Sequence, residues 1–276
     1  MAELTFLIVR QLIDDQGLDI IIPDGNTTLN IEAFDGNYVN SVVIPDSFTS
    51  IGSYTFNANR LKSVEIPNSV ISIGEHAFVD NQLTSVVIPD SVTSIGDEAF
   101  DNNQLTSVVI PDSVTSIGDK AFRNNQLTSV VIPDSVTSIG EGAFRENQLT
   151  SITIPDSVVD IGELGTFEEN LLTSVVLGSG IRKITENAFR DNKLASIDIP
   201  DTVTSIEKHA FDYNKLSNVF IPDSVEFIGE DAFANNPLQS VSIPSNVIFD
   251  ITAFPAWVEI IPVSYTHLTL PTTPYV

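Results

Sequence analysis

Apolar residues in this chain come in short alternating bursts that recur at a long interval. The stretch Leu83–Gln104 reads LTSVVIPDSVTSIGDEAFDNNQ. Val86 and Ile88 are two apart, which predicts a strand with both inward and with Ser85 and Val87 outward. Pro89 has no N–H to give to a ladder, so the strand stops there. Val92 and Ile95 predict a second short extended segment that points back inward. Gly96 permits a turn, and the following DEAF predicts one helical turn that buries Ala99 and Phe100. Asn103 then closes the coil.

The same sentence repeats along the chain. The isoleucine of the Ile-Pro pair falls at Ile22, Ile44, Ile66, Ile88, Ile110, Ile132 and Ile154, in steps of 22 residues. It resumes at Leu177, Ile199, Ile221 and Ile243 after a single step of 23, which coincides with GELGTF. A fixed period of this size marks a solenoid, in which one supersecondary unit stacks on the next and neighbours share a core. Three more rows keep the period. They are Ile20, Val42, Val64, Val86 onward; Leu29, Ile51, Ile73, Ile95 onward; and an aromatic row from Phe34 to Phe254. An asparagine row (Asn37, Asn59, Asn81, Asn103 onward) is expected to satisfy turn backbone groups of its own and the next coil, and to tolerate a left-handed backbone. The copies 83–104 and 105–126 differ only at Glu98/Lys120 and Asp101/Arg123.

The unit L-x-x-V-x-I-P-x-x-V-x-x-I-G-x-x-A-F-x-x-N, carried by Leu83, Val86, Ile88, Pro89, Val92, Ile95, Gly96, Ala99, Phe100 and Asn103, resembles the BspA-type leucine-rich repeat. The resemblance covers residues 18–262, with some ten to eleven coils. It implies a β-rich, leucine-rich-repeat solenoid: curved, right-handed, with a parallel sheet on the concave side, a short second strand and one helical turn per coil. It also implies a surface-associated or secreted protein, and in some members the binding of host or partner proteins. Gly178 in place of proline, Glu207 in place of glycine, and Thr55 and Thr166 in place of alanine depart from the unit and bear on local turn shape.

The ends read differently. Residues 1–17 are expected to form a degenerate cap, with Leu7 and Leu12 at the third and fourth apolar rows. This start lacks a basic leading region and a small-residue cleavage site, so it reads as a poor signal peptide. Phe254–Pro262 is expected to form a shortened last coil. Residues 263–276 obey no repeat position and resemble read-through of an adapter, so they are expected to be artefactual.

Charge narrows the partners. Twelve Lys and Arg stand against 37 Asp and Glu, a formal net charge of −25. Nucleic acid and anionic lipid both need a basic footprint, so neither is expected as a partner. No run is long enough to insert into a membrane. The repulsion predicts a monomer at neutral pH. With no cysteine, neither disulfides nor thiolate metal sites can form.

Catalytic chemistry finds no constellation. His76 and His209 hold the same repeat position six coils apart, roughly 29 Å at strand spacing, so they cannot share a ligand. His267 stands in the tail. PDGNTTLN at Pro23 reads as a turn and not a phosphate loop. Asp97, Asp119, Glu141, Glu163 and Glu186 form an acidic row, but lack the converging oxygens of a tight calcium site. No enzyme activity, cofactor or metal is expected.

The outward strand positions remain. One row runs Ile21, Val43, Glu65, Val87, Val109, Val131, Thr153, Val176, Asp198, Phe220 and Ser242, beside a row that is mostly serine. Phe220 is its one large aromatic, flanked by Asp198 one coil before and Ser242 one coil after. These three, with the smoother Val87, Val109 and Val131, are the expected protein-binding residues. Phe227 and Tyr213 are further irregular aromatics. The expected function is a non-enzymatic scaffold for protein interaction, with surface adhesion as one use. The alternative is a structural spacer or surface-layer rod with no discrete site.

Overall fold

A computed structural model describes residues 2–4, 6–29 and 32–263. Residues 264–276, and His267 with them, lie outside the described residues.

Most coils contribute a first strand before the proline and a second one after it. Parallel pairing one coil apart sets the register: Val86 opposes Val108, and Ile95 opposes Ile117. The second strands form a seven-stranded sheet from Ala2–Leu4 to Ser138–Ile139 and a four-stranded sheet from Lys183–Ile184 to Ile248–Phe249. The first strands form four shorter sheets of two or three strands instead of one continuous sheet. Most offer only two or three residues before the proline, which cannot extend the ladder.

The inward rows are the core. Val86, Ile88, Val92, Ile95, Ala99 and Phe100 are all buried, as are most of their equivalents, while Ile197 and Val247 are half-buried. The aromatic row forms one continuous stack from Phe34 to Phe254, with ring centroids 5.3–5.7 Å apart. Stacking identical coils at strand spacing brings identical rings face to face, and the slight excess over that spacing reflects an offset. Gly96 is required by this stacking: a Cβ there would lie 2.6 Å from the carbonyl carbon of Gly74 in the coil below.

The segment after Gly96 is not the expected helical turn. Glu98 and Asn102 have φ of 54° and 53°, which breaks a right-handed helix. The amides of Glu98, Phe100 and Asn102 donate to Asp119, Ala121 and Arg123 of the next coil. Alternate N–H groups are thus spent between coils, and the backbone folds into two linked β-turns closed by Ala99 N to Gly96 O and Asp101 N to Glu98 O. Among the described residues the only helix is Phe6–Gln16.

The asparagines work as expected, but toward the preceding coil. Asn103 Nδ2 donates to Phe100 and Asp101 carbonyls in its own coil and to Phe78 O in the coil before, at 2.8 Å. Its Oδ1 accepts from Leu83 N. The left-handed residue is not this asparagine but its neighbour, Asn102.

The start differs from a simple degenerate coil. Ala2–Leu4 pairs with Asn26–Leu29, so Leu4, and not Leu7, stands opposite Leu29. Helix Phe6–Gln16 takes up the residues between, because a helix rises about 1.5 Å per residue where a strand rises about 3.3 Å. Val9 and Leu12 are buried, and Gly17 at φ 75° ends the helix by bonding back to Ile13 O. PDGNTTLN turns at Asp24–Gly25 and then continues as a strand. The extra residue of GELGTF is absorbed at Gly162, whose φ is +64°. At the far end, Ser240–Pro244 pairs with Glu259–Val263, which closes a shortened coil.

Candidate protein-binding face

The first strands place Ser85, Ser151 and Ser174 outward with Val87, Thr153 and Val176, around buried Val86, Ile152 and Val175. Val87, Val109 and Val131 are 74 %, 76 % and 79 % exposed. Val87 and Val109 are direct partners across the ladder. Val131 holds the equivalent position one coil on, where the regular pairing is interrupted.

Phe220 is 60 % exposed and bridges in parallel register to Ser242, which is half-buried. Asp198 is exposed at the same position one coil earlier. Phe220 therefore does not retreat into the core. Phe227 belongs to the second strands, between Ser205 and Ile248, so the two phenylalanines stand on different rows. Tyr213 lies beneath the Arg190 guanidinium, 5.5 Å from its ring centre, and packs locally.

The turn edge and the strand face differ in charge. On the turn edge, acids meet cations from neighbouring coils. Lys120 Nζ lies 3.2 Å from Glu98, Arg123 pairs with Asp101, and Arg145 and Arg190 flank Glu168 at 3.4 and 2.8 Å. His76 sits between Glu75 and Glu98 and stacks on Tyr54 at 4.3 Å. The row considered for calcium begins as a hydrogen-bond ladder, in which Asp97 Oδ1 accepts from Asp119 N and Asp119 Oδ1 from Glu141 N, while Glu163 pairs with Lys183. Among the described residues no group of three or more acids or histidines could hold a metal ion, and no helix is long and apolar enough to cross a membrane.

The strand face has no such balance. Neither outward position of the first strands carries Lys or Arg in any coil. The aspartates after the prolines, Asp90, Asp112 and Asp134, are exposed, with no ion pair or side-chain hydrogen bond among the described residues. Asp156 differs, since its Oδ1 accepts from Ser179 N at 2.7 Å, and that bond holds its carboxyl below the usual range. This aspartate row was not singled out from the sequence. The signal was there: a carboxylate at a fixed period with no cation one period away.

The BspA type leucine-rich repeat region, in six copies, matches residues 18–126 and 139–256. No curated protein matches the chain. Among solved structures, a leucine-rich repeat protein from Bacteroides ovatus is 25 % identical, with a TM-score of 0.46, over 92 % of this chain and 85 % of that one. A leucine-rich cell surface protein from Faecalibacterium prausnitzii is 26 % identical, with a TM-score of 0.49, over 87 % and 70 %. The pneumococcal vaccine antigen PcpA is 18 % identical, with a TM-score of 0.52, over 91 % and 80 %, a likeness of fold alone.

Proposed function

Because the chain belongs to the BspA-type leucine-rich repeat family, we propose that it is a non-enzymatic scaffold that binds another protein through the outward face of its first strands. In this reading residues 18–262 are the binding solenoid, residues 1–17 its cap, and adhesion at a cell surface one use. The observation that carries it is the exposed apolar row. Val87, Val109, Val131, Val176 and Phe220 are each more than half exposed, at one repeated position, on a face without cations. Aligned apolar exposure of this kind is costly to leave in water and fits an interface. Phe220 is the anchor, with Asp198 and Ser242 beside it.

The test is capture of a partner on the immobilised chain, followed by titration with the parent and Phe220→Ser. The side chain points away from the core, so the variant should fold normally. Binding should weaken by about 2 kcal/mol or more. Equal affinity would remove Phe220 and move the site to Val87–Val109–Val131. A spacer is favoured by one observation, the near identity of the coils spanning 83–148. A spacer would retain no partner at all.

A further inference from the structure

Open depressions lie in line along the proline end of the first strands. Each is bounded by outward residues, residues of the Ile-Pro row and the residue after the proline position. One joins Ile21 and Val43 to Asp24 and Asp46, and another joins Glu65 and Val87 to Asn68. A third, about 570 Å³, joins Val131, Thr153 and Val176 to Asp134 and Asp156, and opens where Gly178 replaces the proline. Two parallel stripes thus follow the solenoid axis, one of exposed valines and one of exposed aspartates. From Asp90 to Asp156 the aspartates recur once per coil, at about 4.8 Å, and like charges so spaced repel one another; Asn68 and Ser179 bound this run. On the turn edge such rows are relieved by Lys120, Arg123, Arg145 and Arg190. On this face only Asp156 is relieved, by the Ser179 N–H, and Asp90, Asp112 and Asp134 have no such partner among the described residues.

We infer that this face receives an extended segment of a partner that carries lysines or arginines beside small apolar side chains. The segment lies along the axis, with apolar groups on Val87, Val109 and Val131 and cations on Asp90, Asp112 and Asp134. The inference rests on the protein-binding reading and specifies the partner's chemistry. Charge complementarity chooses the occupant, because an anionic or wholly apolar segment would leave the aspartates unrelieved and desolvated. A free metal ion does not fit, since the carboxylates stand in single file and do not converge.

The test uses the full chain and a synthetic peptide of repeated Lys-Val-Gly, followed by fluorescence anisotropy in low and high salt. The parent should bind this peptide, and a Glu-Val-Gly peptide should not bind. Asp90→Asn/Asp112→Asn/Asp134→Asn should weaken binding about tenfold or more, and Asp14→Asn/Asp15→Asn/Asp191→Asn, with the same net charge, less than about twofold. Val109→Thr/Val131→Thr changes no charge and places threonine where Thr153 already stands, so it should fold and still weaken binding about threefold. Equal losses in the two aspartate variants would reduce the effect to diffuse charge and overturn the groove, as would failure of the Lys-Val-Gly peptide to bind. If that peptide fails while a captured protein still depends on Phe220, the cationic segment is wrong and the protein-binding reading stands. If the peptide behaves as expected and Phe220→Ser is silent, the groove stands and the Phe220 anchor falls.

Discussion

Glu98/Lys120 and Asp101/Arg123, the only differences between two otherwise identical coils, are the two pairs that meet across the stack. Perfect copies would have set glutamate on glutamate and aspartate on aspartate. Asp101 is the more demanding position, because it is buried. Burial raises its carboxyl above the usual range, against the lowering pull of its hydrogen bonds and charge pairing with Arg123. A folded pKa above the unfolded one means that folding favours the protonated acid. The cost of the charge is therefore full at neutral pH and fades as pH falls through the folded pKa. Arg123→Ala removes the compensation and should cost about 3 kcal/mol at neutral pH. The loss should shrink at acidic pH, as Asp101 takes up its proton. Urea denaturation of parent and variant at neutral and acidic pH checks this, and an unchanged difference would contradict it.

The coil is the unit whose order these charges fix. Deleting Leu105–Gln126 removes one whole period and sets Asp101 beside Arg145, so an acid still meets a cation. Deleting Leu83–Gln104 removes the same number of residues but sets Arg123 beside Val79 and Lys120 beside His76, with no acid for either. Both variants should fold, because the aromatic and asparagine rows rejoin in register. The first should be more stable than the second by about 1 kcal/mol, the scale of partly exposed pairs. Urea denaturation of the two deletions decides it, and equal stability would show that the charge columns do not discriminate between neighbours. This unit was legible in the sequence because every inward residue recurs at one position, as Phe100 and Ile95 do. The turn after Gly96 was not legible. DEAF has ordinary helical propensity, and only the stacked neighbour, which takes the Phe100 N–H, rules the helix out. The direction of the asparagine bonds was hidden for the same reason, since spacing alone does not say which adjacent coil an amide reaches.

Across the whole chain the charge is lopsided in a way that composition only half reveals. The net charge of −25 was readable at once, but the pairing of turn-edge acids with Lys120, Arg123, Arg145 and Arg190 needed the register of the coils. The outward row was legible as a strand face, and Phe220 keeps its place in it. The aspartate row beside it became a feature only when its neighbours proved to offer no partner. One consequence is global. At neutral pH the unrelieved carboxylates hold molecules apart, and a monomer is expected. Near the isoelectric point of about 4.1 that repulsion vanishes. Among the described residues the last coil then presents Ile248, Ile251 and Trp257, all exposed, beside its terminal strands. Exposed apolar groups at a sheet edge invite pairing with another copy. The chain should therefore self-associate reversibly near pH 4 and return to monomer at pH 7. Ile251→Lys should weaken that association without unfolding the solenoid, because the side chain is 91 % exposed. Light scattering across this range measures both, and an equally monodisperse monomer at the two pH values would show that charge is not what keeps the molecules apart.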